Sequence, residues 1–151
     1  FNYIKFRFYG LECNLNFNKE KRMEYMGKFS PNNVSAIKVG WGLVWDGNSV
    51  DTCNGKVGEY LKYNSPHKLS LYVAAGIPVI VWKESAFKDF VEKNNIGISV
   101  SCIKEIDEKI EKISNEDYRL MIENTRKISK DLRKGGEFSH IVDRYIQENK
   151  E

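Results

Sequence analysis

Apolar residues follow two rhythms in this chain. From Ile77 to Trp82 they run without polar interruption, and most are β-branched. A strand covered on both faces of a parallel sheet has this look. Just upstream, Leu69, Tyr72 and Val73 recur at helical spacing. Ser65 is placed to cap that helix, and Pro66 suits its first position. Gly76 suits a left-handed exit, and Pro78 blocks continuation. A helix running into a buried strand is half of a doubly wound unit. The chain is therefore expected to be α/β and Rossmann-like, a mainly parallel sheet with helices on both faces. Trp41–Trp45 and Ile77–Trp82 are its adjacent central strands.

The remaining pattern fills in around this pair. Ile4–Tyr9 alternates, with Ile4, Phe6 and Phe8 on one side, and reads as a strand. Leu11–Glu20 has no clear period and is a loop or a weak helix. Arg22–Tyr25 suits a short strand closed by Gly27. Ser30-Pro31 repeats the cap-plus-proline signal, giving a short helix with Val34 and Ile37 on one face. Asp46–Tyr63, with glycines at 47, 55 and 58, reads as a long loop of the functional kind. Ser85 is expected to cap a helix through about Lys93, with Phe87, Phe90 and Val91 inward and Asn94-Asn95 as its exit. Ile96–Val100 is a further strand. Ile103, Ile106, Ile110 and Ile113 step along one helix face. Ser114 with Asp117 resembles a capping box, opening a helix with Tyr118, Met121, Ile122, Ile128 and Leu132 that stops at Gly135-Gly136. Phe138, Ile141, Val142, Tyr145 and Ile146 give a last amphipathic helix. No internal repeat is visible.

Composition narrows the function classes. At 151 residues the chain makes one domain with a real core. A net charge of only +3, with acids interleaved among the bases, gives no sign of a dedicated nucleic-acid binder. Cys13, Cys53 and Cys102 are odd in number and widely spaced. They are expected as reduced thiols in a cytoplasmic protein. His67 and His140 lie far apart, so neither a histidine metal site nor another metal or cofactor is expected. No apolar run approaches the ~20 residues of a membrane span, and no signal peptide is expected. The basic lead-in Lys127, Lys130, Arg133 and Lys134 reads first as a solvated face. Peripheral contact with the inner membrane surface is its second reading. The chain begins at Phe1 without methionine and is expected to belong to something longer.

One helix start carries unusual chemistry. Lys68 falls in the first turn, where the macrodipole disfavours a cation by roughly 0.3–1 kcal/mol. Asn64, His67 and Lys68 crowd donors onto that end. Two readings follow: a solvated lysine that helix propensity tolerates, or an anion site holding phosphate or pyrophosphate. Ligands of open α/β sheets bind outside the carboxyl ends of strands. Asp46, Asn64 and Lys68 should therefore gather at one edge, with Lys83, Glu84 and Ser85 after the next strand.

Several blocks then line up in order: Tyr25-x-Gly27, Gly42-Leu-Val-Trp-Asp-Gly47, Tyr60-Leu-Lys-Tyr-Asn-Ser-Pro-His-Lys-Leu-Ser-Leu-Tyr72, Ala75-Gly-Ile-Pro-Val-Ile-Val-Trp82 and Asn94-Asn-Ile-Gly97. Together they resemble the C-terminal domain of bacterial GT-B glycosyltransferases of the galactofuranosyltransferase and streptococcal adhesin-glucosyltransferase type. The resemblance runs from about Phe6 to Phe138. It implies a two-domain enzyme of cell-surface polysaccharide or glycoprotein synthesis. The C-terminal half would bind a UDP-sugar, and the N-terminal half a glycan or glycoprotein acceptor. It implies that Asn64 and Lys68, with Ser65, His67 and Leu69 of the same helix start, bind the nucleotide-sugar, and that Tyr25 lies near the nucleotide. Asp46 and Glu84 are secondary candidates. Such enzymes work without a bound metal.

Two departures stand out. The strand and Gly-Asn-Leu turn that normally open the family domain are absent before Phe1. In addition, Leu71 stands where many GT-B enzymes place the ribose-holding glutamate of a Glu-x7-Glu pair. Ribose recognition then falls to other residues, with Glu59 and Glu84 as guesses. The catalytic base is expected on the preceding half, with Asp46 read first as a carboxylate that caps backbone N–H groups. These 151 residues alone are expected not to transfer sugar. Galactofuranose is favoured over glucose by the resemblance only, and self-association stays open. The competing readings are a non-catalytic nucleotide-binding or interaction module, and a Rossmann-like domain of another enzyme class. The latter is weakened because no Gly-x-Gly-x-x-Gly follows a strand.

Overall fold

The computed structural model describes residues 4–10, 22–30, 33–37 and 40–135. Leu11–Glu20, Pro31, Cys13, Gly136, His140 and the helix expected around Phe138–Ile146 lie outside them. The described chain is mixed α/β and Rossmann-like. Its main sheet has three strands, β3 (Gly42–Val44), β4 (Val79–Trp82) and β5 (Gly97–Val100), in the order β3-β4-β5. All pairings are parallel, with Leu43 opposite Ile80 and Ile80 opposite Ile98. A separate parallel pair joins β1 (Phe6–Phe8) to β2 (Met23–Tyr25).

β4 is the middle strand because its side chains have an apolar neighbour on either face. Val79 and Val81 point into a core with Val44, Leu69, Val73, Val91 and Ile96. Ile80 points the other way, to Val100 and Ile106, and Trp82 packs on Cys53 and Leu61. Every residue of β4 is buried. Each such side chain contributes on the order of 1.5–3 kcal/mol. Helices cover both faces. Helices α2 (His67–Ala74), α3 (Lys88–Lys93) and α5 (Asn115–Arg133) lie on the first, and α4 (Ile106–Glu111) on the second. Among the described residues no helix is long and apolar enough to cross a membrane.

Several element boundaries differ from expectation, each for a physical reason. The stretch Asp46–Tyr63 is not all loop, because α1 occupies Gly55–Tyr60. Gly58 permits it: a Cβ there would sit 2.6 Å from the Cys53 carbonyl carbon, so only glycine lets this helix lie on the preceding loop. α2 starts one residue later than the Ser65–Pro66 signal indicates. Pro66 has an extended ψ of 139° and takes the cap position itself, with no side-chain cap bond. Its carbonyl accepts the Leu69 N–H at 2.9 Å. Ser85 caps nothing; it opens a turn, and α3 begins at Lys88. The cause is the Ala86 N–H, which is bound to the Leu61 carbonyl and ties this turn to the exit of α1. Val34–Ala36 closes only one 3-10 turn, and a second, Ile103–Glu105, precedes α4.

Other signals act as expected. Gly76 has φ +73° and follows the Ala75 cap. The Gly76 and Ile77 N–H groups bond to the Val73 and Tyr72 carbonyls, closing a Schellman motif that delays β4 to Val79. Asn95 takes the left-handed exit of α3 at φ +48°. Ser114 caps α5, accepting the Asp117 N–H at 3.0 Å, while its hydroxyl donates to the Asp117 carboxylate. This is a cap without the reciprocal bond of a capping box.

Candidate functional site

The carboxyl end of β3 meets the start of α2. Leu69 is 3% exposed and pins α2 to the core. Lys68, one residue earlier, is rotated about 100° away from it. Its ammonium group donates to the Asp46 carboxylate, and to the Trp45 carbonyl at 3.3 Å. The lysine side chain is 48% exposed and the aspartate 22%. A pair this open to water is worth only about 0.2–1 kcal/mol, so another anion can replace it. The first turn of α2 holds no acidic residue.

The loop behind Asp46 is held firmly. The Trp45 indole N–H donates to the Ser49 carbonyl at 2.9 Å. Cys53 is a free, fully buried thiol. Burial pushes its pKa up, which keeps it a neutral thiol.

A cleft of about 560 Å³ opens beside Lys68. The Ile4–Tyr9 segment lines it together with Trp41, Leu43, Trp45 and Tyr72. Its charged lining residues are Lys5, Arg7 and Lys68, with no carboxylate among the described residues that line it. Arg7 is paired with Glu24 at 3.2 Å. Burial raises the pKa of Tyr72, which stays a neutral phenol. The lining combines apolar and aromatic side chains with three cationic residues.

The structure brings some of the expected residues together and separates others. Asp46 and Lys68 touch. Asn64 leads into α2, and its buried side-chain oxygen has no partner. Ser65 and His67 are exposed. The Leu69 side chain belongs to the core and its N–H is taken by Pro66, so it anchors the helix. The Tyr25 hydroxyl donates to the Gly10 carbonyl at 2.7 Å and does not line the cleft. Glu84 binds Lys62 at 3.3 Å in a network with Glu59, and no bond links it to Lys68 among the described residues. Lys62 also lies 5.3 Å from the centre of the Trp82 ring. Its pKa is raised, chiefly by its hydrogen bond to Glu59. The Trp82 indole nitrogen and the Ser85 hydroxyl nearby in sequence are buried and unpartnered. Sequence reasoning missed the Trp45 carbonyl, Cys53 and Lys62. Only the last carries a readable signal, its spacing three residues after Glu59.

Comparison with known proteins gives a consistent result. The family model described as "Glucosyltransferase 3-like, C-terminal domain" matches residues 1–144. The chain is 38% identical over 139 residues to the beta-1,6-galactofuranosyltransferase WbbI of Escherichia coli (strain K12), covering 90% of this chain and 42% of that protein. It is 32% identical over 120 residues to Glucosyltransferase 3 of Streptococcus gordonii, covering 78% of this chain and 35% of that one. It therefore spans less than half the length of these relatives.

Proposed function

This chain belongs to the Glucosyltransferase 3-like, C-terminal domain family, and from that premise we propose that it is the donor-binding part of a glycosyltransferase. The reaction would move a sugar from a UDP-sugar to a glycan or glycoprotein acceptor, in cell-surface polysaccharide or glycoprotein synthesis. Galactofuranose is the sugar suggested by the name of the Escherichia coli relative. The proposal includes the GT-B arrangement, with a preceding domain holding the acceptor and transfer in the cytoplasm.

The observation that carries this reading is Lys68. It stands at the uncapped head of α2, against the carboxyl end of β3, in a cleft whose charged lining is cationic. Breaking a sugar–phosphate bond leaves negative charge on the departing nucleotide. A lysine and helix N–H groups stabilise that growing charge. Asn64, Ser65 and His67 lie beside Lys68 in sequence and would complete the phosphate contacts. The Leu69 main chain would support them, with Tyr25 toward the nucleotide. Asp46 and Glu84 would border the site.

The test is calorimetric titration of UDP into the full-length protein. A charge-assisted contact is worth about 1.5–3 kcal/mol. Lys68→Ala is therefore expected to lose about ten- to hundredfold in affinity, with thermal stability nearly unchanged. Lys134→Ala, on the exposed turn after α5, is the control and should bind as the parent does. Equal affinity for the Lys68 variant and the parent would remove the donor site from this helix.

A further inference from the structure

We propose that Asp46 is a resident counter-anion of this site: its carboxylate holds Lys68 while the site is empty, and the donor's phosphates must displace it. The inference rests on the donor reading above and adds the residue that sets the affinity of the site.

An ammonium group has three donors. In the structure one goes to the Asp46 carboxylate and one to the Trp45 carbonyl, leaving a single donor for any ligand. A phosphate that binds Lys68 through more than one bond must displace one of these two partners, and the Asp46 carboxylate is the one it repels. The carboxylate stays near the site once displaced, because its loop is held by the Trp45–Ser49 bond and by the close approach of the Asp46 carbonyl to Gly58, so only the side chain turns away. It then stands as a like charge beside the phosphate, which weakens binding. The other charged groups along the cleft do not share this role. Lys5 and Arg7 are cations, and the Glu24 paired with Arg7 is not a lining residue.

The consequence is a site that favours ligands able to outcompete a carboxylate. A diphosphate does so better than a monophosphate, because it carries more charge and more acceptor oxygens. Asp46 would thus lower the affinity of the empty site for anions in general, and would return to Lys68 as the nucleotide leaves.

The experiment titrates UDP, UMP and inorganic pyrophosphate into the full-length protein in magnesium-free buffer. Parent, Asp46→Asn and Lys68→Ala are compared. Asp46→Asn is expected to bind pyrophosphate and UDP about two- to fivefold more tightly, the gain from removing a partly exposed competing charge. UMP should gain no more than UDP does. Asp46→Ser serves the same purpose if the asparagine variant melts well below the parent. Equal or weaker binding by both Asp46 variants, with Lys68→Ala still weakened, would overturn the proposal and make Asp46 a residue that orients Lys68. If Lys68→Ala binds pyrophosphate and UDP as the parent does, the donor reading at Lys68 fails, and this proposal falls with it.

Discussion

Helices α2 and α5 begin in opposite ways. At α5, Ser114 caps the Asp117 N–H, Glu116 and Asp117 occupy the first turn, and Lys130 and Arg133 the last. Each choice suits the helix dipole. At α2 a proline holds the cap position, no side chain accepts a first-turn N–H, no acid is present, and a lysine stands second. This helix is held by tertiary contacts instead. Leu69 and Val73 are buried, and the Ser129 hydroxyl and the Arg133 guanidinium of α5 both donate to the Ala74 carbonyl at its far end. A helix that satisfies its own ends is built for stability. One that leaves its positive end open beside a lysine is, on the proposal made above, completed by an outside anion.

The contrast can be broken at several points. The largest effect is expected from Leu69→Ala, which removes the anchor of α2. Core truncations of this kind cost about 2–5 kcal/mol. Chemical denaturation should show that loss, with UDP binding weakened as well. Next is Ser114→Ala, expected to cost about 1 kcal/mol of stability. At this chain length the thermal midpoint should fall by roughly 2–4 °C, while UDP affinity stays at the parent value. A matching loss of affinity would mean that the two helix starts are not independent. The smallest effect is His67→Glu, which gives α2 the acid it lacks. Stability should rise by about 0.3–1 kcal/mol, and UDP affinity should fall. A variant that gains stability and keeps its affinity would separate the open helix end from binding.

Much of this was legible in the chain, for reasons that can be located. The apolar run at β4 announces a strand buried on both faces, and its neighbours β3 and β5 flank it in parallel. Asn95 and Gly76 mark their turns by the backbone conformation they permit. The start of α2 was misplaced by one residue because Ser-Pro has the same letters in two roles. The chain leaves α1 with the Asn64 N–H still bonded to the Tyr60 carbonyl, and the extended Pro66 then makes the corner. α1 was invisible because its glycines argue against a helix. Its existence depends on Cys53 and Leu61 being buried against Trp82, a contact far apart in sequence. Within the site, Lys68 could be read from a local rule that it breaks. Asp46 could be placed only at the same edge, and the Trp45 carbonyl not at all, because a main-chain acceptor has no letter of its own.

The most direct test follows backbone amide shifts while UDP is titrated into the isotopically labelled protein. The account predicts the largest changes at the N–H groups of His67 and Lys68 and around Asp46, with Glu116 and Asp117 at the start of α5 unmoved. Changes centred elsewhere, with His67 and Lys68 silent at saturating UDP, would contradict it.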